Sequence, residues 1–185
     1  MELKSALSYV GHNSRDDRNK LDFYPTPSVA TDALLSKQNF VGTIWECACG
    51  DGAISKILEM NGKNVISTDL VDRGYGESGV DFLMDRRRVP NIVTNPPFNL
   101  ATEFILHALD LAEDKVAMLS KISFLEGVKR KELLYSTKKL QKVLIFSRRL
   151  PFKKKATDTK SNGLMAFAWF IFDVNHNGEA TLDWI

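Results

Sequence analysis

Asn95-Pro96-Pro97-Phe98 is the stretch whose residue types most directly spell out a reaction. The exocyclic nitrogen of adenine is a poor nucleophile because its lone pair is delocalised into the ring. The amide oxygen of Asn95 and the main-chain carbonyl of Pro96 can each accept one of its two hydrogens. That localises the lone pair and stabilises the charge that develops on attack. Pro96 and Pro97 fix the backbone in advance, so the carbonyl points outward at little entropic cost. Phe98 offers a flat face on which a base stacks. A neutral amide suffices, since the nitrogen becomes cationic on methylation and sheds its proton afterwards; no general base with a tuned pKa is required. A base in a duplex would first be flipped out. The same tetrapeptide also fits a rigid turn in which Asn95 caps the next helix and Phe98 enters the core.

A donor site is expected upstream. Glu46-Cys47-Ala48-Cys49-Gly50-Asp51-Gly52 sits where a first strand should turn into a helix. Gly50 and Gly52 permit a tight turn and leave room for a ligand against the backbone, although a purely structural turn has the same signature. Asp69 closes the next strand roughly twenty residues later, the position of a carboxylate that holds ribose hydroxyls. The third glycine of the dinucleotide fingerprint is missing, and no helix N-terminus is set for a pyrophosphate, so a nucleoside without phosphates fits better than NAD. Glu46, a carboxylate at the end of an apolar strand, is costly without a partner. The α-ammonium of an amino-acid cofactor would supply one. Cys47 and Cys49 lack a second ligand pair for zinc and read as small core residues.

These residues need a scaffold. Pro27 suits a first helical position and Thr26 a cap, so a helix is expected to run to about Lys37. Further helices are expected at 51–60, with Ile54, Ile57 and Leu58 on one face, at 100–112, and as a basic helix at 125–138. Strands are expected at 43–47, 64–68, 91–94, 115–120, 142–147 and 164–172, with Trp169 and Phe170 in the core. The tail 180–185 either adds a short edge strand or packs Trp184. The alternation implies a doubly wound α/β fold: a mostly parallel, seven-stranded, Rossmann-like sheet with helices on both faces and antiparallel last strands. Its ligands belong at the strands' carboxyl ends. Residues 1–20 read as a flexible lead and 21–185 as one domain.

The chain has 185 residues and a net charge of +2, enough for one well-filled core. That charge conceals a polarity. Within 121–160, 13 lysines and arginines face only Glu126, Glu132 and Asp158; the remainder is acidic. The polarity suits a polyanion, and a solvated helix face fits it too. Arg149, Lys153, Lys154 and Lys155 are the expected phosphate contacts, with Phe152 either stacking opposite Phe98 or anchoring the core. No segment reads as a signal peptide or membrane span, and two cysteines fit a reducing cytoplasm. His12, His107 and His176 show no metal-like grouping, so no metal is expected. The residues leave the oligomeric state open.

The motifs together resemble those of adenine-N6 DNA methyltransferases that use S-adenosylmethionine, especially the small enzymes of phages and prophages. The resemblance is carried by Asp22-Phe23-Tyr24-Pro25-Thr26-Pro27, Trp45 to Gly52, Ser67-Thr68-Asp69-Leu70, Asp81-Phe82-Leu83 and Asn95 to Phe98. Arg149-Leu150-Pro151-Phe152 and Ala168 to Phe172 extend it. It implies that Tyr24 and Thr26 touch the cofactor's methionine end, and that Glu46, Ala48, Gly50 and Gly52 line it. Asp69 and Leu70 would take the ribose, and Asp81 with Phe82 the cofactor's adenine. Many such enzymes carry a separate target-recognition domain, and none is visible here. Adenine in ribosomal or transfer RNA, cytosine N4 and a protein glutamine remain alternative acceptors on the same chemistry. A non-catalytic nucleic-acid-binding module is the alternative from another class.

Overall fold

The computed structural model describes residues 24–152 and 165–185. The lead 1–20 and Lys153, Lys154 and Lys155 therefore lie outside the described residues. Among the described residues, helices α1 (Ser28–Lys37), α2 (Ala53–Met60), α3 (Ala101–Leu111) and α4 (Val128–Leu133) surround eight strands. The strands are β1 (Ile44–Glu46), β2 (Val65–Asp69), β3 (Glu77–Ser78), β4 (Val89–Thr94), β5 (Ala112–Lys121), β6 (Leu140–Ile145), β7 (Phe167–Asp173) and β8 (Thr181–Trp184). They form one sheet in the order β3-β2-β1-β4-β5-β7-β6-β8. β7 runs antiparallel to both β5 and β6, and every other neighbouring pair is parallel.

The expected count of seven strands is thus corrected to eight. The extra one, β3, is a two-residue strand inside the glycine-rich loop, where Glu77 and Ser78 pair with Thr68 and Asp69. Too few residues take part for period-2 patterning to reveal it. The tail does add an edge strand, and Trp184 stays 60% exposed on it.

Strand periodicity explains how helices cover both faces. Along β7, Trp169 and Ile171 point to one face while Phe170 and Phe172 point to the other. Val93, Ala117, Leu119 and Leu144 join the first set and pack beneath Ala30 and Leu34 of α1 and Ile54 and Leu58 of α2. Ile92, Val116, Met118 and Val143 join the second, beneath Phe104, Ile105 and Ala108 of α3. In α2 the buried stripe is Ile54, Ser55 and Leu58, with Ile57 at its edge. Both cysteines are buried, as their size suggested.

Two helix expectations need correction. Thr26 does not cap α1; Pro27 takes the N-cap position with no side-chain capping bond, and the helix begins at Ser28. The Thr26 hydroxyl is engaged elsewhere, by Asn95. The basic helix expected over 125–138 is broken into a 3-10 turn at Ile122–Leu125, the short α4, and a second 3-10 turn at Tyr135–Thr137. Gly127, at φ 114°, breaks the run. Arg130 then folds back so that its Nε donates to the Phe124 carbonyl at 2.8 Å, and Tyr135 Oη donates to the same oxygen at 2.7 Å.

Candidate active site

Parallel strands β2, β1 and β4 lie side by side, so their carboxyl ends bring Asp69, Glu46 and Asn95 to one edge of the sheet. The chain leaves β1 toward β2 on one side and reaches β4 on the other. This reversal opens a crevice in any doubly wound fold.

The turn after β1 is built by the backbone. Gly50 and Gly52 adopt φ of 58° and 82°, a region that L side chains rarely enter. The Gly50 N–H donates to Asp69 Oδ2 at 2.8 Å, and the Val71 N–H donates to Oδ1 at 2.8 Å. Asp69 is thereby locked across the crevice from the turn, with further lone pairs on both oxygens. Gly52 is required for a reason the sequence did not disclose: a Cβ there would lie 2.6 Å from the Tyr75 ring. Tyr75 is itself held by a hydrogen bond to Glu59 Oε1 at 2.9 Å, so the loop after β2 closes onto this turn.

Glu46 is completely buried. Its Oε1 accepts a long 3.4 Å bond from the Ala48 N–H, and its Oε2 has no partner. Burial pushes its carboxyl well above the usual carboxylate range. The Ala48 amide offsets that in part, while the Asp69 charge adds to it. Asp51 Oδ1 on the same turn is also buried without a partner. Two unpaired acidic oxygens around one turn are costly to bury and would be relieved by a cation or a donor.

Asn95 follows β4 directly. Its Nδ2 donates to Thr26 Oγ1 at 3.1 Å, which orients the amide, while its Oδ1 is buried without a partner. The Pro97 carbonyl accepts from the Leu100 N–H at 2.9 Å, whereas among the described residues no backbone N–H is paired with the Pro96 carbonyl. The Asn95 amide oxygen is thus left unused, next to a carbonyl that no backbone donor of the described residues takes. Asn95 does not cap the following helix, whose first turn is preceded by Pro97, and Phe98 is 38% exposed rather than in the core.

The remaining site residues are placed as follows. Leu70 and Ala48 are half-buried against the core. Asp81 Oδ1 accepts from the Leu83 N–H at 3.1 Å. The Phe82 ring is buried among Trp45, Phe104 and His107, so its side chain serves the core. Tyr24, half-buried, precedes Thr26. Phe152 is half-buried, and its ring centroid lies 4.7 Å from that of Phe167, which in turn lies 5.7 Å from Phe98. Phe167 therefore touches both rings expected to face each other. Arg149 is exposed, as are Lys129, Lys131 and Arg148. Lys121 is half-buried, its Nζ 4.8 Å from the Phe98 centroid. Thr26's bond to Asn95, Tyr75 and Lys121 were all missed by sequence reasoning; only the tyrosine between two glycines left a trace.

No protein-family model matches the sequence, and no curated protein does. The fold is nonetheless shared with solved structures. A candidate RNA methyltransferase from Pyrococcus horikoshii superposes with a TM-score of 0.62 at 16% identity, covering 83% of this chain and 88% of that one. The modification subunit of a candidate type I restriction enzyme from Vibrio vulnificus gives 0.60 at 13% identity, over 92% of this chain and 49% of that one. A candidate class I S-adenosylmethionine-dependent methyltransferase from Listeria monocytogenes gives 0.55 at 14% identity, over 85% and 62%. The chain thus spans about half to two thirds of the last two. It has the Rossmann-like fold of these methyltransferases. Among the described residues, no helix is long and apolar enough to cross a membrane.

Proposed function

We propose that this chain transfers a methyl group from S-adenosylmethionine to the N6 amino group of adenine in DNA, flipping the base when the substrate is duplex. The observation that carries the reading is the buried Oδ1 of Asn95, which has no partner among the described residues, is oriented through Thr26 and adjoins the Pro96 carbonyl. An amino group with two hydrogens matches two such acceptors.

The site fits the cofactor on its own terms. Glu46, with its idle oxygen, would hold an α-ammonium; the turn at Gly50 and Gly52 would lie along the nucleoside; Asp69 would accept from ribose hydroxyls. When bound, S-adenosylmethionine supplies an electrophilic methyl on a sulfonium sulfur. Asn95 and Pro96 then orient the acceptor amino group and stabilise positive charge on it. Phe98 supports the base by stacking, and Pro96 and Pro97 hold the turn rigid.

DNA as the acceptor rests on the motif resemblance and on the basic stretch after β5, with Arg149 and Lys153, Lys154 and Lys155 as phosphate contacts. The fold shared with a restriction-modification subunit supports it. RNA is the second reading, supported by the likeness to a candidate RNA methyltransferase over 88% of that chain. Incubation with methyl-labelled cofactor and separate DNA, RNA and protein acceptors tests the proposal. Label at adenine N6 of DNA is expected. Label confined to RNA would move the substrate, and label nowhere would leave a binding module. Neutralising Lys153, Lys154 and Lys155 together is expected to weaken DNA binding and flatten its salt dependence by about two to three units of slope. An unaltered slope in a titration series would remove that segment from the phosphate contacts.

Glu46 gives the cofactor site a pH dependence. Its folded pKa lies above its unfolded value, so its contribution to stability is greatest below the ordinary carboxylate range and is lost as pH rises through the folded pKa. An ammonium partner favours the ionised form, so cofactor affinity should rise over that same upper window as a proton is released. Glu46→Gln is expected to stabilise the free protein at alkaline pH, to lower cofactor affinity about tenfold or more, and to flatten its pH profile. Calorimetric titration in two buffers of different ionisation enthalpy reads the proton directly; identical apparent enthalpies in the two would argue against the linkage.

A further inference from the structure

We infer that Lys121 is a positioning residue that grips the phosphate flanking the target nucleotide, and that its ammonium leaves the Phe98 ring to do so. The inference rests on the nucleic-acid reading of the site and adds to it a residue that neither the motifs nor the fold assigns.

Lys121 is the last residue of β5, and its cross-strand partner is Phe167 on β7. β5 lies beside β4, with Met118 in register with Thr94, so Lys121 sits beyond the level at which β4 delivers Asn95. By strand alternation it shares the face of Ala117 and Leu119, the same face as Phe167. The Ile122 N–H donates to the Ala166 carbonyl at 2.9 Å, which pins the backbone just past it. The lysine therefore projects from a rigid strand end, not from a loop.

Its charge is lightly held. The ammonium lies 4.8 Å from the Phe98 centroid, and Phe98 is more than a third exposed. Among the described residues no carboxylate lies within ion-pair distance of it. By contrast, Arg130 over Phe124 is also hydrogen-bonded to the Phe124 carbonyl, and Lys138 is paired with Glu179. A cation resting on a half-exposed aromatic face is weakly bound. A phosphate oxygen offers it a charge-assisted hydrogen bond that is stronger. The exchange has a second consequence. The Phe98 ring is touched by Phe167 and by this ammonium, and moving the ammonium frees ring surface for a base. Phosphate capture and base stacking are thereby coupled through one side chain.

The test compares the full chain with Lys121→Gln and Lys121→Arg, using a single-stranded oligonucleotide bearing one adenine. Lys121→Gln is expected to raise the oligonucleotide KM about tenfold at low salt and to reduce the slope of log affinity against log salt by about 0.7. Its kcat at saturation and its cofactor affinity should stay within about twofold of the parent, and Lys121→Arg should restore most of the KM. An unchanged salt slope, or a loss confined to kcat with KM intact, overturns the inference while leaving the methyl-transfer reading standing. Failure of the parent chain to methylate any oligonucleotide removes the reading itself and the inference with it.

Discussion

Asn95→Ala should reduce kcat by at least about a hundredfold, toward a thousandfold, while cofactor affinity stays within about twofold. Losing a single preorganised hydrogen-bonding group aimed at developing charge costs about this much in other enzymes, roughly 3 to 4 kcal/mol. The substitution removes the only side-chain acceptor in the proposed amino-group clamp and leaves Glu46, Gly50 and Asp69 in place. It should also be structurally mild: the idle Oδ1 disappears together with the amide, although the Thr26 hydroxyl loses its donor. Thr26→Val sharpens the argument. It keeps Asn95 but frees its amide to rotate, so a partial loss of about tenfold in kcat is expected, with less effect on KM. Single-turnover measurement of methyl transfer separates chemistry from product release. Equal turnover in the Asn95→Ala protein and the parent would take this residue out of the mechanism.

Trp169→Ala should cost about 3 to 5 kcal/mol of folding stability. The indole is completely buried at the centre of the α1/α2 face and its Nε1 donates to the Ala30 carbonyl at 2.8 Å. Truncation leaves a cavity between β7 and both helices and removes the bond that ties α1 to the sheet. Against a typical margin of about 5 to 15 kcal/mol, that is a large fraction of what holds a domain together. Trp169→Phe, which keeps most of the ring volume and loses the bond, should cost about 1 to 2 kcal/mol and remain measurable by urea denaturation if the alanine variant does not fold. A midpoint shift in Trp169→Phe as large as full truncation implies would show that the tie to Ala30, rather than packing, dominates. No shift in either variant would contradict the burial.

The architecture was legible because long-range order follows from short-range period here. Helix and strand patterns alternate along the chain, and strands such as β4, β5 and β7 are long enough for their alternation to be read. What escaped was set by single contacts. β3 consists of two exposed residues and exists through its pairing with Thr68 and Asp69. The basic helix was misjudged because its composition favours helix, while Gly127 and the folded-back Arg130 interrupt it. Composition could not reveal that one of its charges serves the Phe124 carbonyl.

The site divides the same way. Glu46 and Asp69 each end a strand and Asn95 directly follows one, and a parallel sheet gathers strand ends by construction, so their company could be expected. Gly52 reads in the sequence as room for a ligand, whereas in the structure the space beside its Cα is taken by the Tyr75 ring, a contact across two loops that no local spacing encodes. Phe82 belonged to the conspicuous motif, but its ring is consumed by Trp45, Phe104 and His107. Lys121 was one cation among many until its place at the end of β5, opposite Phe167, set it apart.

The bond between Thr26 and Asn95 spans 69 residues of sequence. The orientation of the amide proposed to hold the acceptor is therefore decided by a segment that contributes nothing to the sheet. Strands and helices can be intact while the hand that steadies Asn95 is absent. Natural or designed variation just upstream of α1 would then tune turnover without leaving a mark on thermal unfolding.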